Sequence, residues 1–436
     1  AGFGGLMTAR ILADRLPPAS GTSILLVDDD NSMLFTPLLW TVAEGRAESD
    51  DVVVPIRDFQ RHRDYHVLKA AVLRIDLERH VVFTTAGERP YDTLVIATGS
   101  ITAVPNLPGV RENAHIFHSP ADAIELRNRL IDAVEAAHTA DDPQERREWL
   151  TFVVSGGGDT GVELAAVIST YLHSGLFKEY PWLAQEDVRI VLVGRAARLM
   201  PMSDAHTSEM VRRVLHGEGI EVRTGISVVG MSPHAVQTSD VEIPSRTVFW
   251  AAGISAPPPI YDLPERHAHN GALVVDDHLR LPEHPEVYVV GDCAWAFDAV
   301  THAAVPPTAQ ASEHMGAYVA RCIAANFDGQ QAPAFRYAPR GHLALLGRRT
   351  GVARIGPLIF IGLPAWLIWH GYYLSHIPSW RNRARLILDW TLSAIAGSEP
   401  SELRLGRDEP VPTAQAAQQA PDSEVSERPS LTDVGR

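Results

Sequence analysis

In TFVVSGGGDTGVELAAVISTYL (151–172) three of four glycines, Gly156, Gly158 and Gly161, have the spacing G-x-G-x-x-G between a β-branched run and a helical pattern. Glycine at these points admits positive φ and close backbone approach, and a helix starting there presents unpaired N–H groups and a partial positive charge. In a strand–turn–helix context such residues make a seat for the pyrophosphate of a dinucleotide. Glu163 follows two residues after the third glycine, in the first helical turn. There it either complements the helix dipole as a structural acid or works beside the bound nucleotide. The chain opens on a partial second copy, AGFGGLMTARILADRL, in which Gly2, Gly4 and Gly5 would complete the same spacing if one glycine stood before Ala1. Read alone, that fragment is equally a tail of small residues. SILLVDDD then reads as a short buried parallel strand closing on Asp28, about 20 residues beyond the turn, where a carboxylate accepts from both ribose hydroxyls.

Two such seats need two sheets to hold them, and the chain is long enough. Its 436 residues suit two or three domains. With 45% hydrophobic and 21% charged residues it has a globular balance. A formal net charge of −15 excludes the nucleic-acid binders, which need an excess of Lys and Arg. The two cysteines, Cys293 and Cys322, are far apart, which excludes a disulfide framework, a zinc site and a redox-active pair. No metal site is expected. The opening stretch shows no leader with basic and apolar regions. Two more segments, YDTLVIATGS (91–100) and EVYVVGDCAWAF (286–297), read as strands ending in small residues. Either alone is an ordinary strand end; taken together, Thr98, Gly99 and Gly291 would let main chain approach a flavin, with Asp292 in reach of its ribityl chain.

Their order around the second turn resembles the two-dinucleotide-binding flavoprotein oxidoreductases, from Ala1 to about Ile395. The resemblance implies an α/β fold of two Rossmann-like dinucleotide-binding domains, with an FAD domain (1–115 and 271–345) interrupted by an NAD(P)H domain (116–270). It makes Gly2, Gly4, Gly5 and Asp28 the FAD side. The absent first glycine and first strand are then read as a chain that begins late, with weak FAD retention until a preceding strand is supplied. Having no cysteine before Cys293, the chain is set apart from the disulfide reductases within that superfamily. The nearest resemblance is to the type II NADH:quinone oxidoreductases. It is carried by LFTPLLWTVAEG (34–45), VPIRDF (54–59), GGGDTGVELA (156–165), FWAAGI (249–254), PPTAQASEHMGAYVA (306–320) and LPAWLIWHGYYLSHIPSWRNRARLILDW (363–390).

That resemblance implies hydride transfer from a nicotinamide to FAD and then electron transfer to a membrane quinone, with no protein nucleophile. Gly253 joins the NAD(P)H side and Glu163 lies near the reaction centre, positioning nicotinamide or assisting proton uptake. The flavin–quinone motif A-Q-x-A-x-Q-x-G reads Ala309-Gln310-Ala311-Ser312-Glu313-His314-Met315-Gly316 here. Ala309 and Gln310 are kept beside the flavin. His314 replaces the second glutamine, and it can hydrogen-bond a quinone carbonyl, deliver a proton, or mark a different acceptor. In VRIVLVGRAARLMP the strand end expected to carry an acid holds Gly194, followed by Arg195 and Arg198. Arginines can pair with a 2′-phosphate, so NADPH is expected to serve as well as NADH.

From Gly356 to Trp380 there is no Asp, Glu, Lys or Arg, but Pro357, Pro364 and Pro378 break the run. The longest proline-free piece is too short for a spanning helix. Between Arg340 and Trp390 seven arginines (340, 348, 349, 354, 381, 383 and 385) face one acid, Asp389, with tryptophans at 366, 369, 380 and 390. Segment 346–396 is therefore expected to form amphipathic helices, lying through 356–390 on anionic lipid at the cytoplasmic face, where NAD(P)H is found. A core helix or a homodimer interface is the alternative. Residues 397–436 read as a disordered tail. A soluble NAD(P)H:acceptor reductase and a flavin-binding sensor without turnover stay open as other functions.

Overall fold

The computed structural model describes residues 2–16, 21–60, 63–377, 379–396 and 401–403. The chain divides into a unit of residues 1–402 and a unit of residues 403–436. Apart from Ser401, Glu402 and Leu403, the tail expected at 397–436 lies outside the described residues.

Five parallel strands in the order 114–116, 247–250, 151–155, 189–194, 220–224 form the central sheet. All five residues of Thr151–Ser155 are buried, because both neighbours pair with this strand and helices cover both faces. Pro120–Thr139 begins at a sharp stop: Ser119 and Asp122 form a reciprocal capping box, and Pro120 stands where no intrahelical N–H is needed. Asp159–Tyr171 runs from the carboxyl end of the central strand with Gly158 as its cap residue.

The flanking α/β region has shorter ladders. Leu25–Asp28 pairs parallel with His66–Lys69, and Leu94–Ile96 with Val287–Val289. Leu25–Asp28 does close on the predicted acid, but Leu25 is 43% exposed rather than buried. Among the described residues that strand has one partner, so its other edge is open. Helix Phe3–Arg15 turns Leu6, Ala9 and Leu12 inward and crosses Ala309–Phe327 at close range. Glycine permits this crossing, since a Cβ on Gly316 would stand 2.3 Å from the Gly4 carbonyl oxygen. Thr8 then donates its hydroxyl to the carbonyls of Gly4 and Gly316. The chain passes between the two α/β regions twice, at Ile101–Thr102 and Ile254–Ser255, and these crossings pair with each other as an antiparallel ribbon.

The C-terminal part differs from expectation at its start. His342–Gly347, Thr350–Ile355 and Leu358–Ile361 make an antiparallel meander, and helices begin only at Leu363–His376 and Trp380–Ala396. Two-residue turns explain it: Gly356 adopts φ +57 and Pro357 supplies the next fixed φ, a hairpin signal that the apolar run conceals. Among the described residues no helix is long and apolar enough to cross a membrane.

The arginine cluster also needs correction, because three of the seven bind the protein. Arg354 pairs with Asp204, Arg383 donates to the carbonyls of Ile377 and Ser375, and Arg385 reaches the buried Asp51 at 3.0 Å. Arg340, Arg348, Arg349 and Arg381 are exposed. Burial raises the Asp51 carboxyl to about 6 against the opposing charge of Arg385, and Asn382 donates to the Asp51 carbonyl from the same helix. The last helix is thus fastened to residues 49–51 through polar groups. Leu386 points inward, while Trp380, Ile387, Leu388 and Leu392 remain exposed.

Candidate active site

The glycines of the 156–161 turn divide by what surrounds them. Gly156 adopts φ +138, and a Cβ there would meet the Ala251 carbonyl oxygen at 2.5 Å. A Cβ on Gly161 would stand 1.8 Å from the Gly156 carbonyl oxygen. Gly158 has nothing within 4 Å of that position, so the turn is closed by the outer two glycines and open at the middle one. The first helix repeats the arrangement. A Cβ on Gly4 or Gly5 would press on Val290 or Ala97 at 3.0 Å, whereas Gly2 faces open space. The 156–161 turn therefore sits tight on its strands and leaves one backbone approach clear, which is what a pyrophosphate requires, and the first helix repeats its tight side.

Gly99 at φ +67 and Gly291 at φ +79 end the paired strands 94–96 and 287–289. Ser100 donates to the Asp292 carboxylate at 2.9 Å, and burial raises that carboxyl despite the bond. The Cys293 thiol, buried and held high by desolvation, bonds back toward Thr98 and the strand carbonyls, so Thr98 and Cys293 knit the two ends together. Gly291, Asp292, Trp295, Pro306, Ala311 and Ser312 line a cleft against the start of helix 309–327. Asp28 stands half-buried at its strand end, its Oδ1 accepting the Asp30 N–H at 2.8 Å. Open glycine main chain, two acids at strand ends and a helix start fit FAD along this edge.

On the nucleotide side, Gly253 adopts φ +85 where strand 247–250 leaves the sheet. Gly194 is closely packed, and a Cβ there would come within 3.1 Å of the Gly157 Cα. That contact gives a steric reason for the missing strand-end acid. Arg195 is exposed; Arg198 donates to the Pro201 carbonyl at 3.0 Å.

Residues 1–316 match the pyridine nucleotide-disulphide oxidoreductase family, and residues 340–399 match the NDH2 C-terminal domain. The chain is 31% identical to the type II NADH:quinone oxidoreductase Ndh of Mycobacterium tuberculosis, over 91% of this chain and 87% of that one. This chain belongs to the type II NADH:quinone oxidoreductase family. A probable NADH dehydrogenase of Dictyostelium discoideum is 28% identical, covering 87% of this chain and 85% of its own. The solved structure of NDH2 from Plasmodium falciparum in complex with NADH shares the fold, with TM-score 0.80 at 19% identity over 92% of this chain and 98% of that one. The chain is an oxidoreductase.

The type II motif helix brings Gln310 and His314 to one face, one turn apart. The Gln310 side-chain oxygen is occupied, accepting the Arg340 N–H at 2.9 Å and the Tyr337 hydroxyl at 3.3 Å, which leaves its amide N–H groups to act outward. His314 lies against Phe335 and Tyr337, and burial with the charges of Arg321 and Arg340 lowers its pKa. A neutral ring suits hydrogen bonding better than proton delivery.

Glu163 is half-buried. Its Oε1 accepts the Leu345 N–H at 3.1 Å and the carboxyl also takes the Trp40 indole N–H. Desolvation nevertheless raises it to about 8, with Asp159 adding to the rise. Burial and the Glu163 charge raise Tyr373 as well. One acid on the nucleotide helix thus meets the LFTPLLWTVAEG segment and the C-terminal sheet, a junction invisible in the motif. Sequence reasoning passed over Trp40, Glu313, His342 and Leu345. Glu313 is raised by burial among Arg340, Arg10 and His376, and its signal was an acid inside a motif position that is otherwise unspecified.

Proposed function

We infer that this chain oxidises NADH or NADPH and passes the electrons, by way of FAD, to a membrane quinone. The observation that carries the reading is the 156–161 glycine turn, packed on its strands at Gly156 and Gly161 and open at Gly158. Donor and acceptor follow the relatives' names, which state NADH and quinone. When bound, FAD supplies the redox chemistry, taking hydride and releasing electrons. The protein's own part is to hold and exclude. Gly158, Gly161 and Gly253 shape the nucleotide path. Gly2, Gly4, Gly5, Asp28, Thr98, Gly99, Gly291, Asp292 and Ala309 shape the FAD edge. Gln310 and His314 present donors to the acceptor, and Glu163, its carboxyl raised to about 8, keeps a proton at neutral pH. The test is optical. Yellow protein should bleach within seconds of adding NADH or NADPH and recover with a soluble quinone; colourless or unbleached protein sinks the assignment.

Arg195 and Arg198 make NADPH a substrate in this reading. Arg195→Ala with Arg198→Ala should cut kcat/KM for NADPH by roughly 10- to 100-fold and leave NADH unaffected. Steady-state rates in which the unaltered protein strongly favours NADH would refute it.

The membrane reading places the exposed Leu358, Leu363, Leu367, Trp380 and Leu388 in the lipid boundary, with Arg348, Arg349 and Arg381 on headgroups. Trp380→Ser with Leu388→Glu should shift most of the protein from anionic vesicles to the supernatant. Sedimentation that is unchanged by the pair and by salt would discard it. The cytoplasmic face follows from the supply of NAD(P)H.

A further inference from the structure

Asp159 is an acid where a phosphate seat calls for none. It is the first residue of helix Asp159–Tyr171, directly after Gly158, the open position of the turn. An aspartate there favours the empty helix, because it faces the positive end of the dipole. The same charge repels a pyrophosphate, which would approach that helix end.

The C-terminal sheet supplies what the turn lacks. His342 begins strand His342–Gly347, and its Nε2 lies 2.8 Å from Asp159 Oδ1. The other ring nitrogen, Nδ1, is buried with no partner among the described residues, so Asp159 is the polar anchor of that ring. Across the hairpin His342 pairs in register with Arg354, which reaches Asp204. Asp204 caps the helix Ala205–Gly217 by accepting the N–H groups of His206 and Thr207. The sheet therefore sets a basic side chain on the acid at the start of each helix that follows the strands 151–155 and 189–194. Those strand ends form the edge along which a dinucleotide lies in a doubly wound sheet.

We propose that His342 is a positioning residue for the nicotinamide nucleotide: its hydrogen bond holds the Asp159 carboxylate off the pyrophosphate path and occupies one of its oxygens. The inference rests on the 156–161 turn being the nucleotide seat. The helix keeps its stabilising acid, and the ligand meets a carboxylate already held by a donor. Tight binding of the nucleotide consequently depends on the docked C-terminal sheet.

The test is NADH affinity of the full flavin-loaded chain, measured by titration calorimetry, with KM and kcat measured alongside and flavin content and melting temperature as fold controls. His342→Ala should weaken NADH roughly tenfold, the scale of one charge-assisted contact, and raise KM far more than it lowers kcat. His342→Gln, which keeps a donor near the Nε2 position, should recover most of the loss. Asp159→Asn should bind at least as tightly as the unaltered chain, and adding His342→Ala to it should change little. An equal loss in both backgrounds, or a His342→Ala affinity within twofold of the starting value, overturns the inference. Protein that binds no NADH at all overturns the nucleotide seat as well, so the two failures are distinguishable.

Discussion

Gly161→Ala should abolish flavin reduction by NADH at concentrations that saturate the unaltered chain, with an affinity loss of at least about 100-fold. The added methyl would stand 1.8 Å from the Gly156 carbonyl oxygen and 2.8 Å from its carbonyl carbon, both main chain. No rotamer can relieve that clash, so the turn must open. Overpacking of this kind costs roughly 1–3 kcal/mol of stability, visible as a lower melting temperature. Gly158→Ala makes the informative contrast. Its φ of −83 suits alanine and no protein atom lies within 4 Å of the new methyl. Stability should hold while NADH affinity falls, because the methyl enters the ligand's approach. Normal NADH binding by Gly158→Ala would show that the nucleotide does not lie over this turn.

Glu163→Gln should lower quinone turnover by roughly 100-fold, within the range of one lost proton-transfer group, and slow flavin bleaching less. Glutamine keeps the acceptor for the Leu345 N–H and loses the ionisable proton. The same variant tests the cause of the raised pKa. In the unfolded chain this carboxyl ionises near 4.5, and in the folded chain at about 8. The folded state therefore holds the proton more tightly between those values. The resulting stability is fully present below about 4.5 and is lost as pH rises through about 8, amounting at most to roughly 5 kcal/mol. Melting temperature should fall from about pH 6 to about pH 9 in the unaltered chain and less steeply in Glu163→Gln. Parallel pH curves for the two proteins, together with unchanged turnover, would make Glu163 a structural acid.

The sequence was most legible where chemistry and local geometry coincide. Gly156, Gly158 and Gly161 follow a buried strand and start a helix as their spacing predicts, and Leu25–Asp28 closes on the expected acid. Local rules act over a few residues, so they can be read from a few residues. Legibility failed at Gly356-Pro357, where an apolar run suggested helix and a two-residue turn made a meander instead. It failed also for the arginines. Charge counting cannot see that Arg385 meets a buried Asp51 or that Arg354 meets Asp204.

The motifs by themselves determined one complete glycine turn after a strand, a partial second copy and an altered Gln310–His314 pair. Each is a property of residue type at short spacing, which the backbone turns directly into geometry. Only the tertiary structure decided which glycines are packed and which are open, because that depends on Val290, Ala97 and Ala251 arriving from elsewhere in the chain. It alone placed Glu163 under the Leu345 N–H, 182 positions away, and His342 on Asp159, 183 positions away. Burial and charge are set by what surrounds a residue in space, and at such separations sequence spacing carries no information about the neighbour.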